Sequence, residues 1–277
     1  MAGLAAGPAV AAARSLPDGH YALSDLVRSE WTKLRTVRST MWTLAVTVVV
    51  GLGVSALATA VTRAHWATMT PVDRATFDPI FASLAGSLFG QLAIGVLGVL
   101  VMSAEYGTGT IRATFAAAPR RPLVLLAKVI VFGTIALAVG EVTSFASFLL
   151  GQALLTPPAT HATLSSPGAL RAVAGTGLFL CVIGLFALAV ATLVRHTAGG
   201  ISAFVGILLV LPVIVGALPQ STANDIQRFL PLTIGHELAR ARPDPNAFSP
   251  WTGLLVLVAY TVALLAAGSA LLVRRDA

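Results

Sequence analysis

Four stretches of this sequence carry residue types from which a reaction centre could be built. GHELAR, Gly235–Arg240, opens like the helix of a zinc protease, but that site needs a second histidine four residues after the first, on the same helical face. Position 240 is arginine, so the pattern fails. Ser87 in AGSLFG could act as a nucleophile only with a histidine base at matching depth. All five histidines, His20, His65, His161, His196 and His236, fall in loops or tails between the apolar runs. GTG at Gly107–Gly109 lacks the longer glycine turn ending in Lys-Ser or Lys-Thr that cradles phosphates. The chain therefore has no nucleotide loop of its own, and any nucleotide energy must come from a partner. Glu141, in ALAVGEVTSFASF, is a carboxylate inside an apolar run. A lone acid there costs about 2.5–3.5 kcal/mol on insertion scales, so it should face a bundle interior or cavity. It is either a substrate or gating contact or a partner for Ser, Thr or Gln91 of a neighbouring helix.

The elements that would hold these residues follow from composition. Of 277 residues, 56% are hydrophobic and 10% charged. The mean hydropathy is +0.87, whereas soluble domains carry about a quarter charged residues. A bilayer core about 30 Å thick needs roughly 20 apolar residues in a helix. Six segments reach that length: residues 40–61, 80–103, 123–154, 172–194, 199–218 and 251–273. This predicts an all-α integral membrane protein with six transmembrane helices. The third segment is too long for a perpendicular span and must tilt or project. The fourth and fifth, separated by RHTAG, form a tight antiparallel pair, and Pro212 should kink the fifth. The single cysteine, Cys181, excludes a disulfide framework and a cysteine-based zinc site.

The formal charge of +7 is explained by placement. Twelve Lys and Arg residues flank the side that receives both termini and the loops after spans two and four, against six on the other side. Both termini are therefore expected in the cytoplasm. No basic face with interleaved aromatics lies outside these flanks, which argues against a nucleic-acid partner. Residues 1–19 have no basic n-region or strongly apolar core and read as a disordered arm rather than a signal peptide.

Residues 20–39 predict an amphipathic interfacial helix capped by Ser24 or Asp25. Leu23, Leu26, Val27, Trp31, Leu34 and Val37 recur at helical spacing, with Trp31 at headgroup level, while Arg28, Lys33, Arg35 and Arg38 face anionic lipid. Glu30 belongs to the same helix. Residues 219–250 form a long outer loop before span six, broken by five prolines. STANDIQRFL and LTIGHELARA can each form a short helix, and RFLPLTIG is apolar enough to re-enter the membrane where protein covers it.

The densest signal is SAEYGTGTIRATFAAAPRRPLVLLAK, residues 103–128, between spans two and three. Glu105 ends span two, Gly107 and Gly109 permit a sharp turn, Thr110 can cap, and IRATFAAA makes a two-turn helix stopped by Pro119. Exposed Ile111 and Phe115 beside Arg112 would offer a grip to another protein, and a push on this helix would move both spans.

This segment resembles the signature of type-2 ABC exporter permeases: an acid ending the second span, Gly-Thr, a short helix, a proline, a basic residue and a lysine starting the third. Here these are Glu105, Gly109 with Thr110, Pro119, Arg121 and Lys128. SEWTKLRTVRSTMWTL, Ser29–Leu44, is similar to the family's interfacial helix and first span. The resemblance implies a cell-membrane permease without its own nucleotide site, paired, usually as a homodimer, with a separate cytoplasmic ABC ATPase that alone binds ATP and Mg. It implies a coupling helix at about residues 109–118 and a re-entrant outer loop. ATFAAA departs from the larger aliphatics usual in that helix. The few charges in the spans favour an apolar or amphipathic cargo such as a drug, peptide antibiotic or lipid. The small residues of GSLFGQLAIGVLGVL would suit a dimer interface in span two. A secondary transporter, needing titratable groups in several spans, and a non-transporting membrane sensor are the rival readings.

Overall fold

The computed structural model describes residues 22–118 and 120–274. The arm expected over residues 1–19, Pro119 of the coupling motif and Arg275 of the basic flank lie outside the described residues. Regular structure among the described residues is entirely helical.

Helix α1 (Leu23–Thr36) starts after Ala22. Neither Ser24 nor Asp25 is the cap; Asp25 lies in the first turn, where its Oδ2 accepts the Ala22 N–H at 2.9 Å and complements the helix dipole. Val37 is extended, with φ −77° and ψ 107°, and separates α1 from α2 (Arg38–His65). Short helices α3 (Pro71–Thr76) and α4 (Pro79–Ser83) each open on proline, behind Thr70 and Asp78, whose side chains accept the first free N–H groups. The second span begins later than residue 80, because a turn at Leu84–Gly86 interrupts the apolar run. It is α5 (Ser87–Gly107), whose last turn contains Glu105. Then come α6 (Thr110–Ala117), α7 (Arg121–Leu154), α8 (Ala169–Val194) and α9 (Thr197–Val205). A π turn at Gly206–Val210 joins α9 to α10 (Leu211–Gly216). Pro212, with no N–H for the Leu208 carbonyl, sits just beyond it. Both predicted short helices of the long loop form, as α11 (Gln220–Gln227) and α12 (Pro231–Ala239), before α13 (Pro250–Arg274).

Six helical segments are long and apolar enough to cross a membrane: α2 with the short turn after it, α5, α7, α8, the α9–α10 unit and α13. At 1.5 Å per residue α7 is about 51 Å long, well over a bilayer core. The most enclosed span is α8, which packs against α5, α7 and α13 and touches α9 and α12.

Glycine lets these helices close to backbone contact. A Cβ on Gly98 of α5 would strike the Gly184 carbonyl of α8, and one on Gly140 of α7 would lie 2.6 Å from the Gly177 carbonyl. This corrects the expectation for GSLFGQLAIGVLGVL. Gly90, Gly95 and Gly98 are buried and face Leu180, Phe204 and Gly184 of the same chain. Small residues favour close packing whether the neighbour belongs to the same chain or another, and here the chain itself fills the stripe.

Candidate functional site

Three helices converge at the end of the bundle that carries α6. α1 lies against α7, and α5 ends beside both, which brings Glu30, Lys33, Glu105 and Lys128 together. Lys128 is 2% exposed and Glu30 4%, so each needs a partner in place of water. Lys128 Nζ donates to Glu30 Oε2 at 2.8 Å and to Glu105 Oε1 at 2.7 Å. Lys33 Nζ donates to Glu30 Oε1 at 2.7 Å and to Glu105 Oε1 at 2.9 Å. Two lysines thus hold two carboxylates in a closed ring, while Glu105 Oε2 is buried without a hydrogen-bond partner among the described residues.

Lys33 departs from expectation: its ammonium turns inward to the ring instead of toward lipid headgroups. Burial draws its pKa down, but the hydrogen bonds and charges of Glu30 and Glu105 outweigh that and hold it above the ordinary lysine value. Leu34 is buried beside it, whereas Trp31, Arg35 and Arg38 are exposed. Hydrophobic periodicity alone assigns Lys33 to the polar face; the long-range partner Glu105, with Glu30 of its own helix, draws it in.

Helix α6 follows the Gly107–Gly109 turn. Gly109 has φ +72°, in the left-handed region open to glycine, and occupies the position before the first helical residue. Thr110 is therefore the first helical residue rather than the cap, and its hydroxyl lies 2.8 Å from that of Thr108. Ile111 and Phe115, expected to be exposed, are 3% and 8% exposed and form the seat of α6 on the core. So short a helix has little stability of its own and must bury one face. The outward face is Arg112, Ala113, Ala116 and Ala117.

Arginines lash the same end together. Arg121 places its guanidinium 5.2 Å from the Phe115 ring centre and donates to the Leu272 carbonyl at 2.8 Å. Arg195, in left-handed conformation after α8, donates to the Leu271 carbonyl at 3.0 Å and lies over Tyr106. The last carbonyls of a helix have no partner within it, and these two arginines supply one for α13. Sequence alone marks Arg195 as a topology charge, not as a strut. A cavity of about 400 Å³ adjoins the ring, walled mainly by apolar groups of α1, α2 and α5, with the ring's Glu30, Lys33, Glu105 and Lys128 at its border.

The opposite end is tied by side chains to backbone. Asp78 Oδ2 accepts the Ala241 N–H at 2.8 Å. Arg171 donates to the carbonyls of Leu238, Arg240 and Ala241. Gln152 donates to the Pro79 carbonyl and Ser83 hydroxyl and accepts the Ala162 N–H at 2.6 Å. These residues carry no sequence signal beyond polarity at a span end. The GHELAR residues act structurally here: Glu237 binds Arg240 at 2.9 Å and the Asp244 N–H at 2.7 Å, and His236 stands edge-on to Phe81. Burial, with the Arg240 charge, holds the His236 pKa below its ordinary value.

Glu141 and Gln91 do not pair. The Glu141 carboxylate packs on Gly177, where an added Cβ would overlap it, and it has no hydrogen-bond partner among the described residues. Gln91 Oε1 is buried and also without a partner among them.

An α-helical bundle with a short helix clasped between the second and third spans is one arrangement a separate motor protein could drive. The sequence matches the family described as ABC-2 family transporter protein over residues 26–212, well over half of the chain. The chain belongs to the ABC-2 family. It is thus a multi-pass membrane protein, the permease component of an ABC-2 transporter, and the family lacks an ATPase domain. The matched region begins within α1, takes in the charged ring and α6, and ends within α10. A search of curated proteins gives no match to this sequence.

Proposed function

We propose that this ABC-2 permease is the membrane subunit of an ATP-driven exporter and that α6 is the helix its partner ATPase grips. Paired chains, with both termini in the cytoplasm, would move an apolar or amphipathic cargo, while ATP and Mg bind the partner alone. The observation that carries the reading is the seating of α6. Ile111 and Phe115 fasten it inward, while Arg112 and three alanines form an outward face that a partner can cover. Its links to α5 and α7 are short, so displacement of α6 must displace both. The ring of Glu30, Lys33, Glu105 and Lys128 then passes that displacement to α1. A different ATP-independent design would need free titratable groups in several spans; among the described residues Glu105 and Lys128 are bound in the ring, and Glu141 is the acid of a span left without a hydrogen-bond partner.

The test is gentle isolation of the tagged chain from its native membrane, with mass spectrometry of what accompanies it. A stoichiometric ABC ATPase is expected with the wild type, and Arg112→Glu and Ala116→Trp, both on the outward face, should release it while the chain still inserts. Full retention of the ATPase by both variants would remove α6 as the docking element.

A further inference from the structure

The end of the bundle away from α6 contains a cavity of about 770 Å³, which the coupling proposal does not use. Volumes of this order are typical of small-molecule sites. One wall is apolar, with Phe77, Pro79 and Phe81 each half-buried. Arg240 and Arg242 also line the cavity. Asp78 is the carboxylate that lines the cavity, and its oxygens are committed: Oδ1 accepts the N–H groups of Ile80 and Phe81, and Oδ2 that of Ala241. Arg240 gives one N–H to Glu237 and lies 5.5 Å from the Phe81 ring centre, with further donors left over. Arg242 is exposed and has no hydrogen bond or ion pair among the described residues. The backbone that bears both arginines is fixed, because Arg171 holds the carbonyls of Arg240 and Ala241 at 2.6 and 3.1 Å. Two arginines thus line a cavity whose one lining carboxylate, Asp78, is saturated by backbone N–H groups; Arg240 is partly balanced by Glu237 and Arg242 by no ion pair among the described residues.

We infer that this cavity binds an anionic amphiphile, with its phosphate or carboxylate on Arg240 and Arg242 and its apolar part along Phe77, Pro79 and Phe81. Guanidinium forks match such oxyanions in geometry and charge, and the aromatic wall supplies area for a chain or ring. The same chemistry is presented by an acidic phospholipid of the bilayer and by a free amphipathic acid. The inference stands on the cavity alone and makes no use of α6 or of transport.

The experiment is titration of the full chain in phosphatidylcholine nanodiscs with octyl phosphate and with inorganic phosphate, followed by thermophoresis. Octyl phosphate should bind about tenfold more tightly than inorganic phosphate, reflecting the apolar wall. Arg242→Gln, whose side chain has no partner to lose among the described residues, should weaken octyl phosphate about five- to tenfold. Arg240→Gln with Arg242→Gln should weaken it further. Native mass spectrometry from mixed phosphatidylcholine–phosphatidylglycerol nanodiscs separates the sources: phosphatidylglycerol retained by the wild type and lost in the double variant identifies a bilayer lipid. Octyl phosphate binding without retained phosphatidylglycerol identifies a free acid. Equal binding of octyl phosphate by wild type and both variants, or equal affinity for the two phosphates, would overturn the inference.

Discussion

The two ends of this bundle are joined by different chemistry. Beside α6, helices α1, α5 and α7 are connected by side chain to side chain, through a ring of two lysines and two glutamates, while Arg121 and Arg195 hold only the end of α13 by its carbonyls. At the far end they are connected by side chain to backbone, through Asp78, Gln152 and Arg171. The difference matters for motion. Four interchangeable charges can exchange partners as helices shift, since either ammonium satisfies either carboxylate. A side chain that grips a particular carbonyl fixes one loop shape and loses its partner when the loop moves. The ring therefore lets α1, α5 and α7 shift against one another, whereas the grips of Asp78, Gln152 and Arg171 each hold one loop shape.

The strongest way to break this contrast is to remove the centre of the ring. Lys128→Met leaves Glu30 and Glu105 buried with a single half-exposed lysine, and should cost about 3–5 kcal/mol. Lys33→Met, at a side chain 42% exposed, should cost under about 1 kcal/mol. Thermal unfolding of the detergent-solubilised chain separates the two, and equal midpoints would mean that the ring is not a structural centre.

Much of the architecture is legible in the amino-acid sequence. Six apolar runs announce themselves because a bilayer imposes their length, and proline and glycine punctuate α6, α11 and α12. Glu105 and Lys128 stood out through the family resemblance, and Glu30 and Lys33 through α1. Their union was not readable, because it joins positions almost a hundred residues apart through the tilt of α1 on α7. The face of α6 is not legible for a related reason. Ile111 and Phe115 are apolar at helical spacing, and periodicity identifies a stripe without saying whether its cover is the same chain or a partner. The same ambiguity makes the glycines of α5 read as a dimer seam, although they face the same chain. Asp78, Gln152 and Arg171 were invisible, since a polar residue at a span end looks alike whether it faces water or holds a carbonyl.

A smaller effect sharpens the rigid half of the contrast. Gln152→Leu strips partners from the Pro79 carbonyl and the Ala162 N–H, and should cost about 1–3 kcal/mol. Faster amide exchange is expected around residues 79–83 and 159–163, with α6 unchanged; exchange spreading to α6 would show that the ends are not separable.

The smallest expected effect is a pH dependence. His236 has a folded pKa below its ordinary value of 6.5, so between the two the unfolded chain binds more protons. Its contribution is present above pH 6.5 and is lost as pH falls through the folded value. Acidification from pH 7 to 5 should loosen α12, read as amide exchange at residues 231–239, and His236→Phe should abolish the response. The same loosening in His236→Phe would assign it to another group.

Val37 has one further consequence. It is the single extended residue between two helices, so the orientation of α1 relative to α2 is set by very few torsions. A swing of α1 is then confined largely to the two soft torsions of Val37, a door on a short pin. The charged ring is its latch, and the pose of that door is described by two torsion angles.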